Sequence, residues 1–184
     1  AVCVSSTPRE AEGSYMPCFL TGVSVAKSIA SVNSIPCYTV SHQQGHIAAA
    51  AYGSNHTELL KSPFISFHVS GGTTEVLLVA PHDEKIITAK QIAATLDLNA
   101  GQLIDRVGVM LGLGFPCGAE LEGIASGFNG NIKIKPSLKG ADCCLSGFEN
   151  KISKIYKDTE DKAYVAAYTL KAVSSTLISM TERV

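Results

Sequence analysis

The chain has 184 residues, of which 46% are hydrophobic and 17% charged, and its formal net charge is −1 at pH 7. This composition excludes an intrinsically disordered chain and predicts a globular one, long enough for one large domain or two small lobes. The small net charge gives no signal for nucleic acid or a membrane surface, and no apolar run is long enough to predict a membrane-spanning helix.

The cysteines and the first residue of the chain indicate the cellular compartment in which the protein is expected. The six cysteines show no CxxC spacing, which, without a secretory leader, indicates reduced thiols and predicts a cytoplasmic protein. The chain opens on Ala1, without a methionine and within a predicted strand. We therefore expect no signal peptide, and we expect a fragment or a processed chain.

A strand, a helix and a second strand are predicted within the first 40 residues. Residues 1–5 form a valine-rich apolar run, and residues 37–40 form a second short strand. Between them, residues 19–31 place apolar side chains at helical spacing after a loop rich in proline and glycine. Two strands joined in this way predict a βαβ unit.

His42 and His46 stand four residues apart in Ser41–Gly53, whose alanine run favours a helix. Residues i and i+4 lie on one face of a helix, so two imidazoles in this pattern can hold one divalent metal ion. The alternative is a pair of ordinary histidines near the start of a helix.

Three strands of an antiparallel meander are predicted after Pro63, over residues 64–69, 75–80 and 85–92. Residues 70–74 (SGGTT) form the first turn. Glycines in a turn leave backbone N–H groups open to a phosphate, and the flanking hydroxyls add donors. The alternative is an ordinary glycine hairpin, because the motif matches neither a Walker loop nor a Rossmann fingerprint.

The rest of the chain predicts helices over 101–111, 119–126, 148–157 and 163–183, with a short strand over 142–146. Six lysines face only two acidic residues between positions 133 and 157; they are Lys133, Lys135, Lys139, Lys151, Lys154 and Lys157. Such a cluster indicates a surface that faces nucleic acid. The absence of interleaved aromatic residues favours the alternative of an ordinary solvated surface.

Four motifs resemble, in order, those of the tRNA adenosine threonylcarbamoyltransferases, long named O-sialoglycoprotein endopeptidases or glycoproteases. They are SHQQGHIAAA, HVSGGTTEVLLV, TLDLNAGQLIDRVGVMLGLGFPCG and DCCLSGFENKI. The resemblance implies an α/β fold of the actin, Hsp70 and hexokinase type (ASKHA), present in part, with a mixed sheet and a meander flanked by helices. It implies a remnant of the first lobe over 1–40 and the second lobe over 41–184.

Members of this family transfer a threonylcarbamoyl group from threonylcarbamoyl-adenylate to N6 of the adenosine beside the tRNA anticodon. The resemblance therefore implies tRNA as a partner, with a small paralogous protein and an ATPase of the same pathway, and no membrane. It implies iron or zinc as the metal, and ATP or threonylcarbamoyl-adenylate as the ligand. It implies no catalytic side chain, because the carbamoyl group arrives already activated.

The resemblance also implies roles for individual residues. His42 and His46 would be metal ligands. Asp105 would hold the ribose hydroxyls, Gly118 would contact the nucleotide, and Glu122 would add an acidic contact. The segment that would line the phosphates or the substrate is His68, Val69, Ser70, Gly71 and Gly72.

The sequence departs from the family pattern at several positions. Gln44, Leu98 and Gln102 stand where the family has acids, and Cys117 replaces the first glycine of a Pro-Gly-Gly turn. A late Gly-Gly-Asn segment and the aspartate that would be the third metal ligand are not found in the sequence. We therefore expect this chain to be inactive by itself.

Two other functions are compatible with the motifs. A metallopeptidase of the zincin type has a glutamate directly after its first histidine, whereas Gln43 and Gln44 follow His42 here, and an amide cannot accept a proton from water. The second alternative is a non-catalytic, nucleotide-binding assembly module, which we favour for the isolated chain. We favour the transferase for the parent protein.

Overall fold

The computed structural model describes residues 1–184 and contains seven strands and six α-helices. The strands are β1 (Val2–Thr7), β2 (Cys37–Ser41), β3 (Phe64–Val69), β4 (Thr74–His82), β5 (Ile86–Ala94), β6 (Ser137–Lys139) and β7 (Asp142–Cys144). The helices are α1 (Pro17–Val32), α2 (His42–Gly53), α3 (Ala100–Met110), α4 (Gly118–Ala125), α5 (Ser146–Thr159) and α6 (Lys162–Thr181). This architecture confirms the predicted α/β class, whereas the ASKHA fold stays a prediction.

The first three elements form the predicted βαβ unit. Strand β1 pairs in parallel with β2, from Val2 opposite Cys37 to Thr7 opposite Ser41. Helix α1 begins at Pro17, where a proline is favoured because its missing N–H would have had no partner in the first turn. Its two buried residues are alanines, which allow the helix to approach closely.

Strands β3, β4 and β5 are neighbours in chain order, as the predicted meander requires. Strand β4 lies in the centre, and its first four residues, 74–77, are all buried. A central strand covered on both faces shows no alternation of polar and apolar residues, so such a strand is recognised by its length and flanking turns. The predicted bounds of these strands differ from the observed ones by at most two residues.

Two short elements were not predicted. A 3-10 helix spans Thr57–Lys61, and β6 lies in the lysine-rich segment predicted as a loop. Strand β6 pairs antiparallel with β7, with Leu138 opposite Cys143. Gly140 forms the turn with a φ of +63°, a conformation that side chains other than glycine rarely adopt. Three residues are too few to give a periodic signal.

The chain divides into two compact units, each with its own core. Unit 1 comprises residues 1–66 and 77–91, and unit 2 comprises residues 67–76 and 92–184. The core of unit 1 consists of Ile47, Leu77, Val79, Ile87 and Ala89. The core of unit 2 gathers residues from α3, α4, α5 and α6. The division of the parent fold after residue 40 stays a prediction. No helix has both the length and the apolar character needed to cross a membrane.

Candidate functional sites

The histidine pair owes its position to a cap at the start of α2. The Ser41 hydroxyl accepts a hydrogen bond from the Gln44 N–H at 3.1 Å, and Gln44 Oε1 accepts one from the Ser41 N–H at 2.6 Å. This reciprocal capping box satisfies two N–H groups that a helix start would otherwise leave unpaired. Helix α2 therefore begins at His42, and the next turn of the same face carries His46.

The two imidazoles converge on one point. His42 Nε2 and His46 Nε2 lie 3.0 Å apart, and both residues are exposed. A single ion can lie about 2.0–2.1 Å from both nitrogens at this separation, so the pair fits the predicted metal. Phe19 supports the pair from α1, with its ring centre 5.6 Å from that of His42. No group of three or more metal-ligating side chains exists in the chain, so the chain offers two ligands at this point.

Gln44 lies on the same helix, is buried, and forms hydrogen bonds through both its amide oxygen and its amide nitrogen. Its Nε2 donates to the Ile87 carbonyl at 2.6 Å and to Glu10 Oε2 at 3.3 Å. Glu10 also pairs with Lys85 at 2.5 Å and accepts from the Ala89 N–H at 3.2 Å. A carboxylate at position 44 could not donate to either acceptor. This network is a physical reason for an amide where the family pattern has an acid.

The helix offers no general base of the zincin type. Gln43 directly follows His42, is 4% exposed and carries an amide. Its backbone N–H donates to the Pro8 carbonyl at 3.1 Å, which ties the start of α2 to the loop after β1. Both glutamines of the motif therefore hold the helix in place.

The turn between β3 and β4 is closed by its own serine. The Ser70 N–H donates to the Thr73 carbonyl at 2.7 Å, and the Ser70 hydroxyl accepts from the N–H groups of Gly72 and Thr73, both at 3.1 Å. Two of the N–H groups that the sequence predicts to be open are thus bonded to this hydroxyl. A phosphate at the exposed turn would take its place.

His68, predicted to line the substrate, has a partner that the sequence did not indicate. Its Nδ1 lies 3.2 Å from Glu75 Oε1, and the Glu75 side chain is 3% exposed. A buried carboxylate requires hydrogen-bonding partners, and the imidazole supplies one. Glu75 thereby fixes the orientation of the His68 ring.

Helix α3 starts in direct contact with this turn. The Gly101 N–H donates to the Ser70 carbonyl at 3.1 Å, and the Ala100 N–H donates to the Thr74 hydroxyl at 2.8 Å. A Cβ atom at Gly101 would lie 2.5 Å from the Gly71 nitrogen, closer than packed atoms approach. Only glycine fits there. Gln102 accepts from the Asn99 N–H at 3.2 Å, so its neutral amide supplies the oxygen that a glutamate would supply.

Asp105 lies one helical turn after Gly101. Its Oδ1 accepts from the Cys117 N–H at 2.9 Å, which joins α3 to the residue before Gly118, the first residue of α4. Its Oδ2 makes no hydrogen bond. The neighbouring Arg106 pairs with Glu149, at 3.0 and 3.2 Å, and not with Asp105.

Cys117 fills the space next to α3. A Cβ atom at Gly108 would collide with its side chain, so the bulkier residue at 117 and the glycine at 108 fit together. Burial raises the pKa of the Cys117 thiol, and the carboxylates of Asp105 and Glu120 raise it further. This cysteine therefore remains a neutral packing residue at pH 7. Glu122, the last of the predicted nucleotide contacts, is exposed one turn into α4.

Asp97 is a structural carboxylate that the sequence did not single out. Its oxygens accept from the N–H groups of Leu145 and Ser146, at 2.7 and 3.3 Å, and from the Ser146 hydroxyl at 2.6 Å. It thus caps α5, whose own preceding residue has no capping side chain. Burial raises the pKa of Asp97, but the hydrogen bonds from Ser146 and the backbone outweigh it and lower the pKa overall. Leu98, where the family has an acid, is buried in the core of unit 2.

The six lysines of the predicted basic surface are all exposed. Two of them, Lys135 and Lys151, line a cavity of about 410 Å³ at the start of α5. The two acidic residues of the same stretch are engaged, since Asp142 accepts from the Ala94 N–H and Glu149 pairs with Arg106. Neither carboxylate forms an ion pair with one of these lysines.

Comparison with known proteins gives one consistent result. The model of the TsaD family, tRNA N6-adenosine threonylcarbamoyltransferase, matches residues 1–184. The enzyme of that name from Thermosipho africanus is 34% identical over 170 residues, which cover 88% of this chain and 49% of the relative. Those from Syntrophobacter fumaroxidans and Oenococcus oeni are 39% and 38% identical, covering 59% and 72% of this chain and 30% and 37% of the relatives. The chain spans about half the length, or less, of these curated relatives.

Proposed function

The chain belongs to the tRNA N6-adenosine threonylcarbamoyltransferase family, and from this premise we propose that its site serves the transfer of a threonylcarbamoyl group from threonylcarbamoyl-adenylate to N6 of a tRNA adenosine. The membership confirms the family predicted from the four motifs. Because the chain spans about half the length of its curated relatives, or less, the enzyme class and tRNA modification are themselves parts of the proposal, supported by the family membership. The donor, the position beside the anticodon, a cytoplasmic location and the ASKHA fold are parts of the proposal.

The proposal rests on two features that lie next to each other, the turn at Ser70 and the carboxylate of Asp105. The exposed turn at Ser70 and the carboxylate of Asp105 flank the first turn of α3, and Gly101 holds that helix against the turn. A carboxylate oxygen accepts hydroxyl protons, whereas a glycine turn and a helix start donate N–H groups to anions. The two features together suit a nucleotide whose ribose meets Asp105 and whose phosphate meets the turn.

This arrangement suits a reaction that is accelerated mainly by holding the two substrates in the correct position. In the proposed reaction the N6 nitrogen forms a bond to the carbamoyl carbon and gives up one proton to water, the bond from that carbon to the phosphate oxygen breaks, and adenosine monophosphate leaves. The donor is already activated, so binding and orientation by Asp105 and the turn supply much of the rate. N–H donors at the turn stabilise negative charge on the departing phosphate.

His42 and His46 would hold the iron or zinc that the family resemblance implies. When bound, such an ion acts as a Lewis acid towards a carbonyl or phosphate oxygen. The imidazoles are preset for this role by the capping box and by Gln44, which fix the first turn of α2. Because this chain offers two ligands, further donors must come from outside it, or from solvent or substrate.

The proposed partners are tRNA, a small paralogous protein and an ATPase of the same pathway, with ATP or threonylcarbamoyl-adenylate as ligand. The exposed lysines support tRNA as the partner of unit 2, because phosphates are the main targets of lysine in nucleic-acid complexes. A second candidate function is a nucleotide-binding assembly module without catalysis. The limited set of metal ligands favours this function for the isolated chain.

Titration of the chain with adenosine monophosphate and ATP by calorimetry tests the nucleotide site. We expect Asp105→Asn to weaken binding about tenfold, because a carboxylate that accepts from hydroxyls is replaced by a weaker, uncharged acceptor. Its melting temperature should stay near that of the wild type, because the amide oxygen can still accept from the Cys117 N–H. Asp158→Asn, an equal charge change at an exposed position of α5, is the control.

A transfer assay with synthetic threonylcarbamoyl-adenylate and a tRNA transcript then separates the two candidates. Nucleotide binding without transfer identifies the module, and transfer identifies the enzyme. If Asp105→Asn binds nucleotide as the wild type does but melts at a much lower temperature, Asp105 is structural and the proposed site is wrong.

A further inference from the structure

The cavity of about 410 Å³ at the start of α5 has no role in the proposed transfer reaction. It is lined by Lys135, by one residue each of β6 and β7, and by the first two turns of α5. None of the residues proposed to hold the nucleotide or the metal ion lines it. Its volume falls within the range of about 300–1,000 Å³ that small-molecule sites occupy.

The hairpin of β6 and β7 directs a polar pair of side chains and an apolar pair to opposite faces. Leu138 lies opposite Cys143, and both belong to the core of unit 2. Ser137 lies opposite Cys144 at the neighbouring position. Because side chains alternate between the two faces of a strand, this hydroxyl and this thiol face away from the core. Both of them line the cavity.

Helix α5 contributes an apolar ring and a cation to the lining. Phe148 and Lys151 are three residues apart and so lie on one face of the helix. Phe148 is buried and packs in the core of unit 2. The Lys151 ammonium lies 5.3 Å from the centre of the buried Tyr168 ring, where the face of the ring attracts a cation. This contact helps to hold the ammonium beside the cavity.

The lining contains positive charge and hydrogen-bond donors but no carboxylate. Each of the two lysines offers three N–H donors and no acceptor, and neither forms an ion pair. The lining residue Ser146 donates its hydroxyl to Asp97, but that carboxylate is already engaged in the cap of α5. The cavity therefore suits an anion with several acceptor oxygens.

We infer that this cavity binds a phosphate monoester, with the phosphate oxygens on Lys135, Lys151 and the Ser137 hydroxyl and the organic part of the ligand against Phe148. The three donors come from three different segments, and a phosphate monoester has three terminal oxygens and about 1.5–2 negative charges at pH 7. A carboxylate has two oxygens and one charge. The cavity shares no residue with the proposed nucleotide site, so this site is additional to it.

The thiol of Cys144 allows the charge of the cavity to be measured in the wild type. Alkylation by iodoacetate, an anion, is compared with alkylation by iodoacetamide, its neutral analogue, using mass spectrometry of the cysteine peptides. The ratio of the two rates at one cysteine cancels the reactivity of the thiol, which is common to both reagents. Cys37, which is also half-buried but lies in unit 1, is the internal reference.

We expect the ratio of the iodoacetate rate to the iodoacetamide rate to be several times higher at Cys144 than at Cys37, because two ammonium groups attract the anion. Lys135→Ala and Lys151→Ala should each lower the ratio at Cys144. Both lysines are exposed, so these variants should fold, and their melting temperatures check this. Lys157→Ala, the same charge change at an exposed position of α5 outside the lining, should leave the ratio near that of the wild type.

Protection of the same thiol identifies the ligand. Ribose 5-phosphate should slow the reaction of Cys144 with iodoacetamide, whereas ribose should not, and neither should affect Cys37. Lys151→Ala should raise the concentration of ribose 5-phosphate needed for half-maximal protection about tenfold, the effect of losing one hydrogen bond from a charged group. Asp105→Asn should leave this concentration unchanged, because Asp105 does not line the cavity.

The outcomes separate this inference from the proposed function. Equal protection by ribose 5-phosphate in the wild type and in Asp105→Asn supports the cavity as a site of its own, whatever the nucleotide titration gives. If ribose 5-phosphate gives no protection, if ribose protects equally well, or if neither lysine variant changes the protection, the inference is wrong. If an oligoribonucleotide without a terminal phosphate protects Cys144 and ribose 5-phosphate does not, the occupant is a phosphodiester of RNA and the assignment to a monoester is overturned.

Discussion

Replacing Gln44 by glutamate would restore the acid of the family motif, and we predict that it destabilises this protein. The Gln44 amide donates to the Ile87 carbonyl at 2.6 Å and to Glu10 Oε2 at 3.3 Å, in a residue that is 3% exposed. Gln44→Glu removes both donors and places two carboxylates side by side. The Lys85 ammonium, which already pairs with Glu10, compensates only one of them.

The magnitude follows from these contacts. A buried acceptor left without its donor costs about 1–3 kcal/mol. Two like charges about 3.3 Å apart repel by about 5 kcal/mol at an effective dielectric constant near 20, an upper limit that proton uptake reduces. We expect a net loss of about 2–4 kcal/mol at pH 7, a large fraction of the roughly 5–15 kcal/mol that stabilises a typical domain.

The loss should depend on pH with a defined sign. Burial and the Glu10 carboxylate would raise the pKa of the introduced glutamate above its unfolded value of about 4.3. The folded variant then binds more protons than the unfolded variant, so its deficit relative to the wild type is full above the raised pKa. The electrostatic part of the deficit shrinks as the pH falls towards the unfolded pKa.

Urea unfolding of the wild type and three variants, at pH 7 and pH 5, measures these terms. Gln44→Met removes the hydrogen bonds without adding charge and should give a smaller loss that does not change with pH. Gln91→Glu adds the same charge at an exposed position of β5 and should be nearly neutral. If Gln44→Glu is as stable as the wild type at pH 7, or if its loss equals that of Gln44→Met at both pH values, the repulsion argument is refuted.

Three further predictions follow from the same reasoning. After dialysis against zinc-free buffer, the wild type should retain less than one equivalent of zinc and His46→Ala almost none, because two ligands hold an ion weakly and one holds it hardly at all. Elemental analysis measures the zinc content of both proteins, with His56→Ala as the control. A full equivalent of zinc in the wild type would contradict the two-ligand assignment. Asp97→Ala should lower the free energy of unfolding by about 1–2 kcal/mol through loss of the α5 cap. Because the pKa of Asp97 is lowered in the folded state, this deficit should be full above the unfolded pKa of about 3.9, and its charge-dependent part should be lost as the pH falls through the folded pKa. Urea unfolding across this pH range measures it. Gly101→Ala should cost about 1–3 kcal/mol, because its Cβ would press on the Gly71 nitrogen. Gly123→Ala, at an exposed helical glycine with open space around it, should instead be neutral or stabilising by up to about 1 kcal/mol. If the two substitutions change the free energy of unfolding equally, the close approach at Gly101 is unimportant.

The sequence by itself determined the elements whose signal is local. Helical spacing and helix propensity predicted every α-helix to within two residues of its observed bounds, and short runs bounded by turn residues predicted the strands of the meander. The i, i+4 spacing of His42 and His46 placed two imidazoles on one helical face, because that relation depends only on the geometry of a helix. The four motifs identified the family for the same reason, since they are short and continuous in the chain.

The tertiary structure decided which partner each polar residue has. Gln44 bonds to Ile87, 43 residues later, and Asp97 bonds to Leu145, 48 residues later. Spacing along the chain carries no information about such pairs, because they depend on which elements pack together. The sequence could therefore record Gln44 only as a missing acid, whereas the fold shows why an amide is required.

The same distinction applies to the proposed nucleotide site. The sequence indicated Asp105 and the Ser70 turn separately, but the contact between the turn and Gly101 exists only in the folded chain. The cavity that Phe115 and Asp105 line together likewise exists only in the folded chain. Local periodicity follows from backbone geometry, whereas a binding surface is made by side chains from distant segments and is set only when those segments pack.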